Sequence, residues 1–308
     1  MRRTDIAHFG LMLSAFGLSY LLPFELVLLS YVFLGPLHYL TEISWLHDRG
    51  YFLPHRGVAL ALIVTALTAS FVESAFWFGV IVWIAFVTCA VVSGARTAMQ
   101  AMLLVMLAIV VTAYLWSRGP AFAILGVLLP TLVHVSLFTA VFMTLGAARS
   151  RSLAQVALVV AYVIALIAIV VVPPSDATAI PSLAKLAHES FGNVPQALGR
   201  ALGITDLKLD ARLTGLLSFV YTYHYLNWFI KADIIRWADV PKWRLALIAG
   251  VSFAATAFYF YDYVLGFGVL LSLSLTHVLL EFPLNTVSLR QLGGVVGEGF
   301  AQRTRKRA

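Results

Sequence analysis

The sequence predicts an all-α fold, a polytopic transmembrane helix bundle of about ten spans with both termini cytoplasmic, and three observations carry that prediction. Of 308 residues, 61% are hydrophobic and only 11% charged, with a mean hydropathy of +0.92, far outside the range of a soluble domain. Apolar runs of about 18 to 25 residues recur along the whole chain, each long enough to cross roughly 30 Å of hydrocarbon as a helix. The basic residues, finally, fall on alternate loops, as the positive-inside rule requires.

Hydropathy, charges and prolines place the spans at 5–22, 24–45, 57–72, 76–94, 97–116, 120–147, 153–172, 211–231, 243–261 and 263–288. The opening "MRRTD" with its apolar run has the start of a signal peptide but no small-residue cleavage site after it, so it reads as the first span. Pro23 separates the first two spans almost without a loop, and in "YFYDY" only Asp262 breaks the last two. With ten spans and a cytoplasmic N-terminus, Arg118, Lys185, Arg200, Lys208 and Arg212 alone of the 21 Lys and Arg lie outside. Residues 173–210 are too polar to span and too apolar for a free linker; they read as an extracytoplasmic amphipathic segment that closes the bundle, with His188 solvated. Residues 1–308 form a single transmembrane domain with no internal repeat. The net charge of +7 is met by anionic lipid headgroups against the "RTRKR" tail and loop arginines, so no nucleic acid is needed as a partner. The lone Cys89 excludes a disulfide framework and is expected to be packed or lipid-facing.

Titratable groups inside such a chain stand out. His38, His134, His224 and His277 lie in the second, sixth, eighth and tenth spans, which all run from outside to inside. Measured forward to the first cytoplasmic basic residue, their depths agree within roughly 12 Å and fall in the cytoplasmic half of the membrane. An intramembrane histidine is expensive unless paired or coordinated, and neutral imidazole is the commonest ligand of iron, copper and zinc. One histidine from each of four helices makes a plausible cage. Two of them carry a carboxylate four residues later, on the same helix face: His38 with Glu42 in "HYLTE", and His277 with Glu281 in "HVLLE". Each carboxylate can either ligate the metal or accept the second ring N–H of a ligating histidine. Asn227, three positions after His224, is a candidate for a similar orienting part. "PTLVHVSLFTAV" around His134 has no carboxylate nearby. His47 and His55, among Asp48, Arg49 and Arg56, read as loop residues in surface ion pairs, and Glu25 and Glu73 as solvated carboxylates at outer helix ends. The alternative for each intramembrane histidine is an interhelical hydrogen bond and nothing more.

Iron held by histidines with an open position can oxidise a substrate with O2, and a site in the bilayer is reached most readily by lipophilic molecules. The aromatic-rich stretch around Tyr221, Tyr223, Tyr225, Trp228 and Phe229, with Tyr259, Tyr261 and Tyr263, is a candidate lining for such a substrate, while Trp237 and Trp243 read as interfacial anchors. The expected function is therefore that of an intramembrane metal-dependent oxygenase, with iron (Fe2+) first among the transition metals and a hydrophobic substrate and O2 as its partners. The histidine-rich clusters of membrane desaturases are missing. Two readings compete: a proton-coupled transporter using His38, Glu42, His277 and Glu281 as a relay, with Pro36, Pro130 and Pro283 breaking its helices, and an assembly protein whose four histidines lie apart.

The runs "GPLHYLTE", "LTHVLLEF" and "YHYLNWF" resemble short stretches of the Brp/Blh membrane proteins, the β-carotene-cleaving dioxygenases that make retinal. They cover about a tenth of the chain. The resemblance implies that His38, His224 and His277 ligate iron, with His134 as a fourth ligand, and that the substrate is a carotenoid or other lipid; the expected location of the chain is the bacterial inner membrane. It departs from the family where one histidine is expected to follow another after about one turn: His224 is followed by Asn227 and Trp228.

Overall fold

A computed structural model describes residues 3–51, 56–117, 126, 129–174, 182, 185 and 208–305. All secondary structure among the described residues is helical. Helix α1 is Arg3–Leu21. Helix α2 is Pro23–Asp48, α3 Arg56–Ala69, α4 Ala75–Gly94 and α5 Ala98–Ser117. Helix α6 comprises Leu129–Phe138 and Thr139–Ser150, and α7 is Leu153–Val171. Helices α8, α9 and α10 are Lys208–Ile230, Lys242–Tyr261 and Tyr263–Arg305. Among the described residues seven helices (α2, α4, α5, α6, α7, α9 and α10) are long and apolar enough to cross a membrane, which makes this a multi-pass membrane protein.

Local chemistry accounts for the ends of these elements. Pro23 opens α2 at a position whose N–H would have no helical partner in any case. Ser74 caps α4 by accepting from the Trp77 amide. Arg290 of α10 donates to the Gly94 carbonyl and so covers the C-terminal end of α4. At the tight α9–α10 turn, Asp262 Oδ1 accepts from the Leu265 amide (3.0 Å). A Cβ on Gly266 would stand 2.3 Å from Tyr259 Cα, so only glycine permits that approach.

Prolines mark the helices that matter most. Pro36 has no N–H to give the Val32 carbonyl, and the turn before it widens into a π-helical segment, Ser30–Leu34. Thr256 of α9 donates to that carbonyl instead (2.7 Å). Pro283 likewise cannot serve the Leu279 carbonyl inside α10, and the Cys89 thiol of α4 points at it (3.7 Å). Cys89 is thus packed, fully buried, against a carbonyl freed by proline.

Helices α2, α6, α8 and α10 form an inner ring: α2 and α6 each pack against both α8 and α10. Around it, α1 and α7 cover α8, while α3, α4 and α9 cover α10, and α5 packs on α4. One core joins Val27, Tyr31, Tyr162, Phe219, Tyr223 and Tyr259, a second joins Leu62, Val82, Cys89 and Leu275. Tyr221, Tyr223 and Tyr225 are core residues, the rings of Tyr221 and Tyr225 packing on each other and that of Tyr223 on Tyr162 and Phe219, whereas Tyr261 is 88% exposed.

Several boundaries differ from expectation. Helix α10 continues past 288 to Arg305, because nothing after Asn285 breaks it. The expected start of the sixth span, His55, His188 and most of 173–210 lie outside the described residues. Glu25 is not a solvated end group. It is fully buried in the first turn of α2, because α2 starts against α1 and α8 rather than at the bundle surface. Glu73 is exposed, as expected, and His47 is an exposed partner of Asp48 (3.1 Å), which also accepts from Arg244 (2.6 Å).

Candidate metal centre

The four histidines come together. His38 from α2, His134 from α6, His224 from α8 and His277 from α10 meet between the helices of the inner ring. Going round, the ring centroids of His38 and His224 are 4.7 Å apart, His224 and His134 5.5 Å, His134 and His277 5.1 Å, and His277 and His38 5.4 Å. Glu42 and Glu281 complete the cluster. Exposure is 1 to 3% for these residues and 9% for His224. The separated histidines that an assembly protein would need are not what the chain builds.

Apart from the hydrogen bond between His38 Nε2 and His224 Nε2, the donor atoms are crowded in a way that hydrogen bonding does not explain. His38 Nε2 lies 3.1 Å from Glu42 Oε2 and 3.0 Å from His224 Nε2. His134 Nδ1 lies 3.2 Å from Glu281 Oε2. The two carboxylate contacts lack hydrogen-bond angles, which leaves both oxygens and both ring nitrogens of His134 buried without a hydrogen bond. The Glu42 and Glu281 carboxyl groups are themselves within hydrogen-bonding reach of each other. Two carboxylates side by side in an apolar medium require a proton or a cation between them. Metal–ligand bonds of about 2.0–2.2 Å place neighbouring donors roughly 3.0–3.4 Å apart, so these contacts have the size of coordination-polyhedron edges. Ligand atoms of His38, Glu42 and His277 all lie within 4.8 Å of one another and could hold a metal ion.

Side chains outside the donor set orient it. Thr139 Oγ1 and His224 Nδ1 share a 2.8 Å hydrogen bond, which turns Nε2 toward His38. Tyr39 stacks on His277 at 4.3 Å and bonds the Tyr225 hydroxyl (2.6 Å). The Trp228 indole closes one wall 5.6 Å from His38, with its N–H donated to Thr41 Oγ1 (3.0 Å). Neither ring nitrogen of His277 makes a hydrogen bond. Asn285 lies one turn after Glu281 on the same face of α10, close to that carboxylate. Two of the helices are irregular at the site, α2 with its π-helical turn just before His38 and α6 with His134 inside the π-helical segment Leu129–Phe138.

Two expected pairings change. Glu281 approaches His134 on α6, not its own-helix neighbour His277, because the α6–α10 packing sets the imidazole of His134 against it. Asn227 does not orient His224, since both ring nitrogens of His224 are taken, by Thr139 and by His38. A threonine in the middle of a neighbouring apolar helix carries no sequence signal for that part, whereas Asn285 could have been found by its one-turn spacing from Glu281.

Compared with protein-family models, with curated proteins and with solved structures, the chain matches none. The cluster therefore has to be interpreted from its own geometry.

Proposed function

We propose that the chain is an intramembrane metal-dependent oxygenase, with non-haem iron held by His38, His134, His224 and His277, acting on a hydrophobic substrate such as a carotenoid. The observation that carries this reading is the meeting of four imidazoles and two carboxylates, from four helices, at a depth where each alone would be costly. Iron would supply the activation of O2. The chain's own residues do the rest: imidazoles and carboxylates hold the ion, Thr139 fixes the orientation of His224, and the Tyr39, Tyr225 and Trp228 rings keep water out. Ten spans with both termini cytoplasmic, supported by the distribution of basic residues, would open the site to lipophilic molecules from the bilayer. The short Brp/Blh-like runs support a polyene as the substrate class.

The test is elemental analysis and O2 uptake by the detergent-purified chain supplied with β-carotene, beside a His38→Ala, His277→Ala double variant. Bound iron and carotene-dependent O2 consumption, both lost in the variant, are expected. Folded, monodisperse protein that takes up no transition metal would overturn the reading. The contiguous imidazole–carboxylate cluster would then be the proton relay of a transporter.

A further inference from the structure

Six donor side chains are more than one reactive ion can use. An ion holding all four imidazoles and both carboxylates would be six-coordinate, with no open position for O2 or substrate. The donors also divide by position. His38, Glu42 and His277 present ligand atoms within 4.8 Å of one another, and His224 Nε2 joins them 3.0 Å from His38. His134 and Glu281 form a second pair at 3.2 Å, built from α6 and α10, whereas the first set draws on α2, α8 and α10. In the circuit of imidazoles His38 and His134 are the opposite corners, each with its own carboxylate, and the two carboxyl groups lie close to each other.

His134 points the same way. It is 1% exposed, and neither ring nitrogen makes a hydrogen bond. A lone ion among the other donors would leave it unsatisfied, at a cost comparable to an unmade buried hydrogen bond. Glu281 Oε2, buried and without a hydrogen bond, would be left in the same condition.

We propose that the cluster binds two divalent transition-metal ions, one at His38, Glu42, His224 and His277, the other at His134 and Glu281, with the two carboxylates between them. The pair of cations neutralises two adjacent carboxylates and leaves the second ion, with only two protein side chains of its own, the open positions. This inference rests on reading the cluster as a metal centre.

The test is anaerobic loading of the full-length, detergent-purified chain with ferrous iron, removal of loosely bound metal by desalting, and metal-to-protein ratio by elemental analysis. Two ions per chain are expected in the wild type and one in a His134→Ala, Glu281→Gln double variant, a twofold loss. A ratio of one in the wild type overturns the two-ion site and leaves the metal centre standing, whereas a ratio of zero overturns both. Two ions in wild type and variant alike place the second ion elsewhere and refute the assignment. Size-exclusion profiles and thermal unfolding of the metal-free proteins establish that the variant is folded. A second loading with Mn2+ reads the same question spectroscopically: an exchange-coupled pair gives a multiline paramagnetic-resonance signal in the wild type, replaced by that of an isolated ion in the variant.

Discussion

Thr139→Val replaces a buried hydroxyl by a methyl of nearly the same shape, so it alters one hydrogen bond and little packing. In the native chain Thr139 Oγ1 is 2.8 Å from His224 Nδ1, and the residue is 1% exposed. Without the hydroxyl, the ring nitrogen faces apolar atoms, a penalty of about 1–3 kcal/mol for a buried polar group stripped of its partner. The imidazole also loses the contact that aims Nε2 at the cluster. Outer contacts of this kind are worth 10- to 100-fold in metal affinity, equivalent to about 1.4–2.8 kcal/mol. The two routes agree, and the expected result is a 10- to 100-fold weaker ferrous affinity in Thr139→Val, with Thr139→Ser near the wild type. Competition against a chromophoric chelator under anaerobic conditions at fixed pH measures it. An affinity within twofold of wild type would refute both the orienting part of Thr139 and the assignment of His224 as a ligand.

Other expectations test the scaffold. Gly266→Ala puts a Cβ 2.3 Å from Tyr259 Cα and must spread the α9–α10 turn, so it should destabilise by about 1–3 kcal/mol, seen as a lower thermal midpoint in detergent; an unchanged midpoint would contradict the close approach. Thr256→Val leaves the Val32 carbonyl, already deprived of a proline N–H, without its 2.7 Å donor, and a loss of about 1 kcal/mol in unfolding free energy is expected. Cys89 should resist a water-soluble maleimide in the folded chain and react after denaturation in SDS, since it is fully buried between α4 and α10; rapid labelling of folded protein would argue against that packing. Asp48→Asn removes an exposed contact with Arg244 and should change stability by less than about 1 kcal/mol.

Much of this molecule was legible in the residues because membrane helices announce themselves. An apolar run long enough to span, stopped by charge or proline, has few alternative structures in lipid, and the helices from α1 to α10 begin and end within a few residues of those stops, apart from the run-on of α10 past 288 and the start of the sixth span, which lies outside the described residues. His38, His134, His224, His277, Glu42 and Glu281 were legible for a related reason: at such depth a titratable side chain is too costly to keep without a partner. Spacing along one helix also found Glu42 beside His38, because residues four apart share a face. Beyond one helix the pattern is silent. That Glu281 meets His134, that Thr139 aims His224, and that the carbonyls freed by Pro36 and Pro283 are met by Thr256 and Cys89 all depend on which faces of separate helices come together. The burial of Glu25 belongs with them, since hydropathy reports that a helix is apolar and not which of its sides is covered. Sequence alone thus determined the helices and which polar residues lie within them, through the cost of exposing backbone and charge to hydrocarbon, while only the packing of the inner ring decided which side chains became partners.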